Sequence, residues 1–181
     1  TLFPYTTLFR SLSTNIRTSL SIVKLAKSYK VSVEGEVGFV GYHNGKLSKG
    51  TNILEAKKFA NESRVDAIAI SVGNTHLQKS KIAKIDIKKI IDIENVTNVP
   101  LVLHGSSGIS PALRKKIART TNVAKFNIGT ELRMVFGSSL RKYIKKDKKI
   151  FDRLKLLNQT TVKIKKETKK IIKNLSFDKN L

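Results

Sequence analysis

Three histidines, two closely spaced glutamates and two glycine-bearing loops are the residues whose types and spacing could do chemistry. His76 follows the run Ile68-Ala-Ile-Ser-Val-Gly-Asn-Thr, His104 follows Leu101-Val-Leu, and His43 lies seven residues after Glu36. All three fall beyond the C-terminal end of a strand-like run, the edge where loops build the site in parallel α/β proteins. Neutral imidazole nitrogens converging from neighbouring strands suit a divalent ion such as zinc. Taken one at a time, each histidine reads equally as a polar loop residue or a hydrogen-bonded core residue. Glu34 and Glu36 alternate on one strand and so share a face, where they serve a metal, a general base or an interior salt bridge. His104-Gly-Ser-Ser-Gly108 and Asn127-Ile-Gly-Thr130 each end a strand and precede a helix. Backbone N–H groups in such turns, with the helix dipole behind them, can cradle a phosphate; the competing reading is two ordinary strand-to-helix turns.

These residues need a frame to hold them, and the periodicity supplies one. Helical spacing is expected over residues 15–28, 54–63, 85–95 and 112–120, with Ser110 as N-cap and Pro111 at the first turn of the last. Strands are expected over residues 31–34, 65–72, 99–103 and 123–127. A helical tail from Leu132 to Asn174 should break around Asp147 to Asp152. Strand starts roughly thirty residues apart mark βα units and a parallel sheet with right-handed crossovers. Both a doubly wound sheet and part of an eightfold βα barrel fit. Neither G-x-G-x-x-G nor G-x-x-x-x-G-K-[ST] occurs, which removes the best dinucleotide and nucleotide signatures.

Composition narrows the class. With 181 residues, 40% hydrophobic and 27% charged, the chain is globular rather than disordered, and the lack of Cys excludes thiolate metal sites, cysteine nucleophiles and disulfides. A reduced cytoplasm is the expected compartment. The net charge of +23 first suggests a polyanion partner. However, residues 141–181 alone carry 15 Lys+Arg against 4 Asp+Glu, and the chain has 28 Lys to 8 Arg. Nucleic-acid sites favour the bidentate Arg fork, so a lysine-biased solvated surface is preferred over a nucleic-acid site. No apolar run reaches the roughly 18 residues needed to span a bilayer, so no membrane partner is expected. Residues 1–11 lack the regions of a signal peptide and resemble the translation of a sequencing adapter; they are expected to be non-native, leaving 12–181 as native sequence.

Four blocks carry a resemblance to a known family: Val31-Ser-Val-Glu-Gly-Glu-Val-Gly38, Asp66-Ala-Ile-Ala-Ile-Ser-Val-Gly73 with Thr75-His76, Pro100-Leu-Val-Leu-His-Gly-Ser-Ser-Gly108, and Val123-Ala-Lys-Phe-Asn-Ile-Gly-Thr-Glu-Leu-Arg133. In this order they resemble the class II, metal-dependent fructose-bisphosphate and tagatose-bisphosphate aldolases, over about Asn15 to Lys173. The resemblance implies a (β/α)8 TIM barrel, here its C-terminal half, with residues 131–181 as terminal helices. It implies aldol cleavage of a ketose 1,6-bisphosphate to dihydroxyacetone phosphate and glyceraldehyde 3-phosphate. The cofactor would be Zn2+ or another divalent metal, the partner a small phosphorylated sugar, and the full-length protein a homo-oligomer.

By motif, His76 and His104 would be metal ligands. Glu36 matches an acid that touches a second or displaced metal position in some members. Gly105, Ser106, Ser107, Asn127, Ile128, Gly129 and Thr130 would hold phosphate and hydroxyls. The family's catalytic aspartate and its adjacent third histidine ligand belong to an earlier strand, so the chain alone is expected to be inactive. Two departures stand out: the loop Gly41-Tyr-His-Asn-Gly45 lacks the usual acids, and Leu77 replaces the glycine that normally follows the second histidine. They keep two other readings open, a non-catalytic or altered-substrate relative and a basic module that binds nucleic acid or polyphosphate.

Overall fold

The computed structural model describes residues 11–41, 48 and 50–176. Six helices and four strands alternate through most of the chain: α1 (Leu12–Ser28), β1 (Glu34–Val37), α2 (Ile53–Ser63), β2 (Ala67–Ile70), α3 (Ile87–Glu94), β3 (Leu101–Leu103), α4 (Pro111–Thr120), β4 (Val123–Phe126), α5 (Thr130–Lys146) and α6 (Arg153–Leu175). All strand pairs are parallel and their order is β1-β2-β3-β4, without the reversal that marks a doubly wound sheet. The chain is therefore an α/β protein built on a parallel sheet.

The register sorts the side chains into two faces. Gly35 aligns with Ile68, Leu101 and Val123, and Val37 with Ile70, Leu103 and Phe126. This face packs on the helices through Phe59 of α2, Ile90 and Ile93 of α3 and Ile117 of α4, all fully buried. A Cβ at Gly35 would meet the Phe59 ring at 2.7 Å, so the bare glycine lets α2 lie close on β1. On the other face Glu34 aligns with Ala67, and Glu36 with Ala69, Val102 and Lys125. That face is short and polar at both edges, with small side chains between them.

Local capping explains most helix starts. Asn52 Oδ1 accepts from the Leu54 and Glu55 amides, Asp86 Oδ1 from Lys89, and Ser110 Oγ from Leu113, with Pro111 in the first turn as expected. Ser11, the last residue of the segment expected to be non-native, caps α1 through the Thr14 amide at 3.3 Å. The tail breaks over residues 147–152, where Asp152 caps α6.

β1 is the main displacement from expectation: it starts at Glu34, not Val31. The Val33 amide donates to Asp66 Oδ2 at 2.7 Å and its carbonyl accepts from the Asp66 amide at 2.8 Å, so its backbone is spent on the turn before β2. Val31 is exposed.

Candidate functional site

The C-terminal ends of the strands gather most of the residues singled out from the sequence. His104 follows β3 and leans onto the polar face, where its Nε2 lies 2.9 Å from Glu34 Oε1 and its Nδ1 lies 3.1 Å from Glu36 Oε2. Lys125 Nζ meets the other Glu34 oxygen at 2.7 Å. β1 and β4 are three strand spacings apart, about 14 Å on a flat sheet, so the two side chains reach towards each other across the alanines of β2 and Val102 of β3. The acids of β1 thus act on His104 from both sides.

Charges on these groups follow from their neighbours. Hydrogen bonding to Glu36 raises the His104 pKa against the opposing effect of burial, and Glu34 adds to the rise. His76 moves the other way: burial lowers its pKa, and the nearby His104 charge lowers it further. For Glu34 burial acts upward, yet the hydrogen bonds from Lys125 and His104 hold its carboxyl below the ordinary value. The result is one imidazole favoured as a cation and one favoured as a neutral base.

The two rings are neighbours, with centroids 5.9 Å apart and planes tilted by 51°. Two imidazoles sharing one zinc at about 2.0–2.1 Å per bond have centroids roughly 5–6 Å apart, so the donor types and spacing suit a divalent ion. The set is nevertheless short. Among the described residues no group of three His, Cys, Asp or Glu side chains is arranged to hold a metal, whereas a catalytic zinc takes three protein ligands. Both His104 nitrogens also face carboxylates, and one contact must open before that ring can ligate. In zinc sites a carboxylate on one ring nitrogen commonly orients the other towards the ion. His43 and the Tyr42–Gly45 loop lie outside the described residues.

Backbone geometry fixes where the imidazoles sit. The His76 amide donates to the Gly41 carbonyl at 2.8 Å. Buried Asn74 accepts from the Val72 amide and donates to the Ile70 and His104 carbonyls, joining the ends of β2 and β3. Gly105 adopts φ 61°, and a Cβ there would run into the Thr75 carbonyl; glycine is what lets the His104 turn pass beneath the His76 loop.

Beside His76 opens a cleft of about 640 Å³ lined by Leu77, Gly105, Ser107, Phe126, Asn127, Ile128, Gly129, Thr130 and Arg133. Six of the seven residues expected to hold substrate are here. Ser106 is the exception: its hydroxyl donates to the Leu103 carbonyl at 2.7 Å, its amide to the Asn127 carbonyl at 3.1 Å, and it is fully buried. It shapes the turn and does not line the cleft. Ser107 Oγ accepts from the Glu131 amide at 3.0 Å, supplying the cap that α5 lacks from its own Gly129. Leu77, half exposed on the cleft wall, keeps φ 58°, a left-handed conformation that favours glycine.

Sequence reasoning missed Lys125, Asn74, Glu131 and Arg133. In a chain with 36 Lys and Arg, one more cation carries no signal, and Asn74 acts through a carbonyl 30 residues away.

Imidazoles, carboxylates and a cleft large enough for a small molecule, at the C-terminal edge of a parallel sheet, define an α/β protein with the site layout of an enzyme. Residues 9–179 match the family described as fructose-bisphosphate aldolase class-II, and the chain belongs to that family. Among solved structures it is similar to the YdjI aldolase from Escherichia coli K12, with 25% identity and a TM-score of 0.73 over 93% of this chain. It shares the fold of the fructose-bisphosphate aldolase from Campylobacter jejuni, with 20% identity and a TM-score of 0.72 over 92% of this chain. It spans 57% of the length of each of these structures.

Proposed function

We propose that this chain forms the C-terminal half of a (β/α)8 barrel that cleaves a ketose 1,6-bisphosphate reversibly to dihydroxyacetone phosphate and glyceraldehyde 3-phosphate. In this reading residues 12–181 belong to the barrel domain of a cytoplasmic, homo-oligomeric enzyme. The observation that carries it is the approach of His76 and His104 to 5.9 Å, with His76 on the wall of the Gly105–Thr130 cleft. The unreversed strand order supports the barrel, and the 57% span of the solved relatives supports further strands elsewhere.

His76 and His104 would hold the divalent ion, with Glu36 as a nearby oxygen donor. When bound, such an ion polarises the ketone oxygen of the substrate as a Lewis acid. The rest falls to the chain's own groups. Gly105, the Ser107 hydroxyl and the N-terminus of α5 at Thr130 receive the phosphate, where backbone N–H groups and the helix dipole favour an anion. The Arg133 guanidinium adds charge on the same wall. Glu34 and Lys125 fix the orientation of His104. The general acid and the third metal ligand are expected from residues outside this set, so the 181-residue chain should not turn over by itself.

A titration of the expressed chain with Zn2+ tests this. Replacing His76 or His104 with Ala is expected to weaken zinc binding by about tenfold or more, and an aldol-cleavage assay should show no turnover. Unchanged zinc affinity in both variants would sink the reading. Leu77 favours a second, narrower one, an aldolase with altered substrate preference, because its isobutyl group stands on the cleft wall beside His76.

A further inference from the structure

Arg114 is the largest fully buried side chain among the described residues, 1% exposed, and it serves no part of the chemistry described above. Its guanidinium grips Glu131, Nη1 to Oε2 at 2.9 Å and Nη2 to Oε1 at 3.5 Å. Lys81, five residues beyond His76 in the same loop, binds Glu131 Oε1 at 2.5 Å. The Glu131 amide donates to Ser107 Oγ at 3.0 Å, and Glu131 directly follows Thr130. One residue therefore touches the His76 loop, the turn after β3, and α4, from the first turn of α5.

We propose that Glu131 is a positioning residue that locks these segments in register and so sets the shape of the anion cleft. The inference rests on reading that cleft as a phosphate site. Stability alone is a poor account of the network. Buried ion pairs rarely stabilise more than well-packed apolar replacements, and Arg114 Nε finds no hydrogen-bond partner among the described residues, leaving part of its desolvation uncompensated.

What the network supplies is direction. A forked guanidinium fixes the plane of the carboxylate, and the carboxylate then fixes both Lys81 and the start of α5. Because Ser107 Oγ accepts from the Glu131 amide, its own proton is left to donate elsewhere, and the cleft it lines is the open direction. Lys81 is the tether most easily cut, since its side chain is 35% exposed.

The test compares the wild-type chain with Lys81→Met and with the double variant Arg114→Met/Glu131→Leu, which removes both buried charges together. Amide hydrogen exchange and an NMR titration with inorganic phosphate are the readouts. Both variants should keep Tm within about 4 °C of the wild type, with β1–β4 protection unchanged. Exchange at the His76, Gly105–Ser107 and Thr130 amides should rise, and phosphate affinity should fall by about tenfold in the double variant. A merely structural role predicts the opposite pattern, with Tm and strand protection falling together with affinity. Wild-type binding of phosphate at these amides with equal affinity in the double variant overturns the positioning role alone. Absence of phosphate binding by the wild type overturns the cleft reading as well.

Discussion

His104 has an acceptor beside each ring nitrogen, and only a protonated imidazole can donate to both. Its raised pKa means that it contributes stability fully below the ordinary histidine value, about 6.5, and loses it as pH climbs through the folded value. His76 has the reverse sign. Its lowered pKa adds stability above the ordinary value, which is lost as pH falls towards the depressed one. In the metal-free chain, an NMR titration of the imidazole resonances should therefore show His76 titrating below and His104 above a free histidine. Inverted order would refute this account of the pair. Strand ends and the family resemblance pointed to both rings and to seven residues expected to hold substrate, and six of those seven line the cleft. Ser106 lies off the cleft because the direction of a hydroxyl in a tight turn is decided by the carbonyl within its reach, here that of Leu103.

At the scale of elements, the turn after β3 carries the most constraint per residue. Gly105→Ala is expected to destabilise the chain by about 1–3 kcal/mol, since it combines a left-handed backbone with a Cβ pressed on the Thr75 carbonyl. Urea unfolding measures it, and an unchanged midpoint would mean that the two loops are not in contact. Capping chemistry made helix boundaries legible: Ser110 with Pro111 marked the start of α4, and the Asp147 to Asp152 break fell where the helices end. Strands were harder. In β1 only Val37 is a buried aliphatic side chain, because Gly35 makes room for Phe59 while Glu34 and Glu36 face the site. The alternation of Val31 and Val33 drew the reading three residues too early.

For the whole molecule, the charge of +23 has a measurable consequence that separates it from a dedicated nucleic-acid site. Duplex DNA should bind weakly and without sequence preference, and lose affinity by about a thousandfold or more between 50 and 200 mM salt, as counterion release dictates. Sequence-selective binding that survives the higher salt would revive the basic-module reading. The basic α5 and α6 offer few aromatic partners for bases, and no helix among the described residues is long and apolar enough to cross a membrane. The two-faced sheet bears on how charge is enclosed. Beyond the helices lie Ala69 and Val102, almost fully buried although their side chains point away from the apolar core. On that face stand Glu34, Glu36, His104 and Lys125, linked to one another across the strands. In the proposed barrel that face would line the interior, so the cluster would be a set of enclosed charges that satisfy one another, and a substitution that removes one member would leave its partner unpaired away from water.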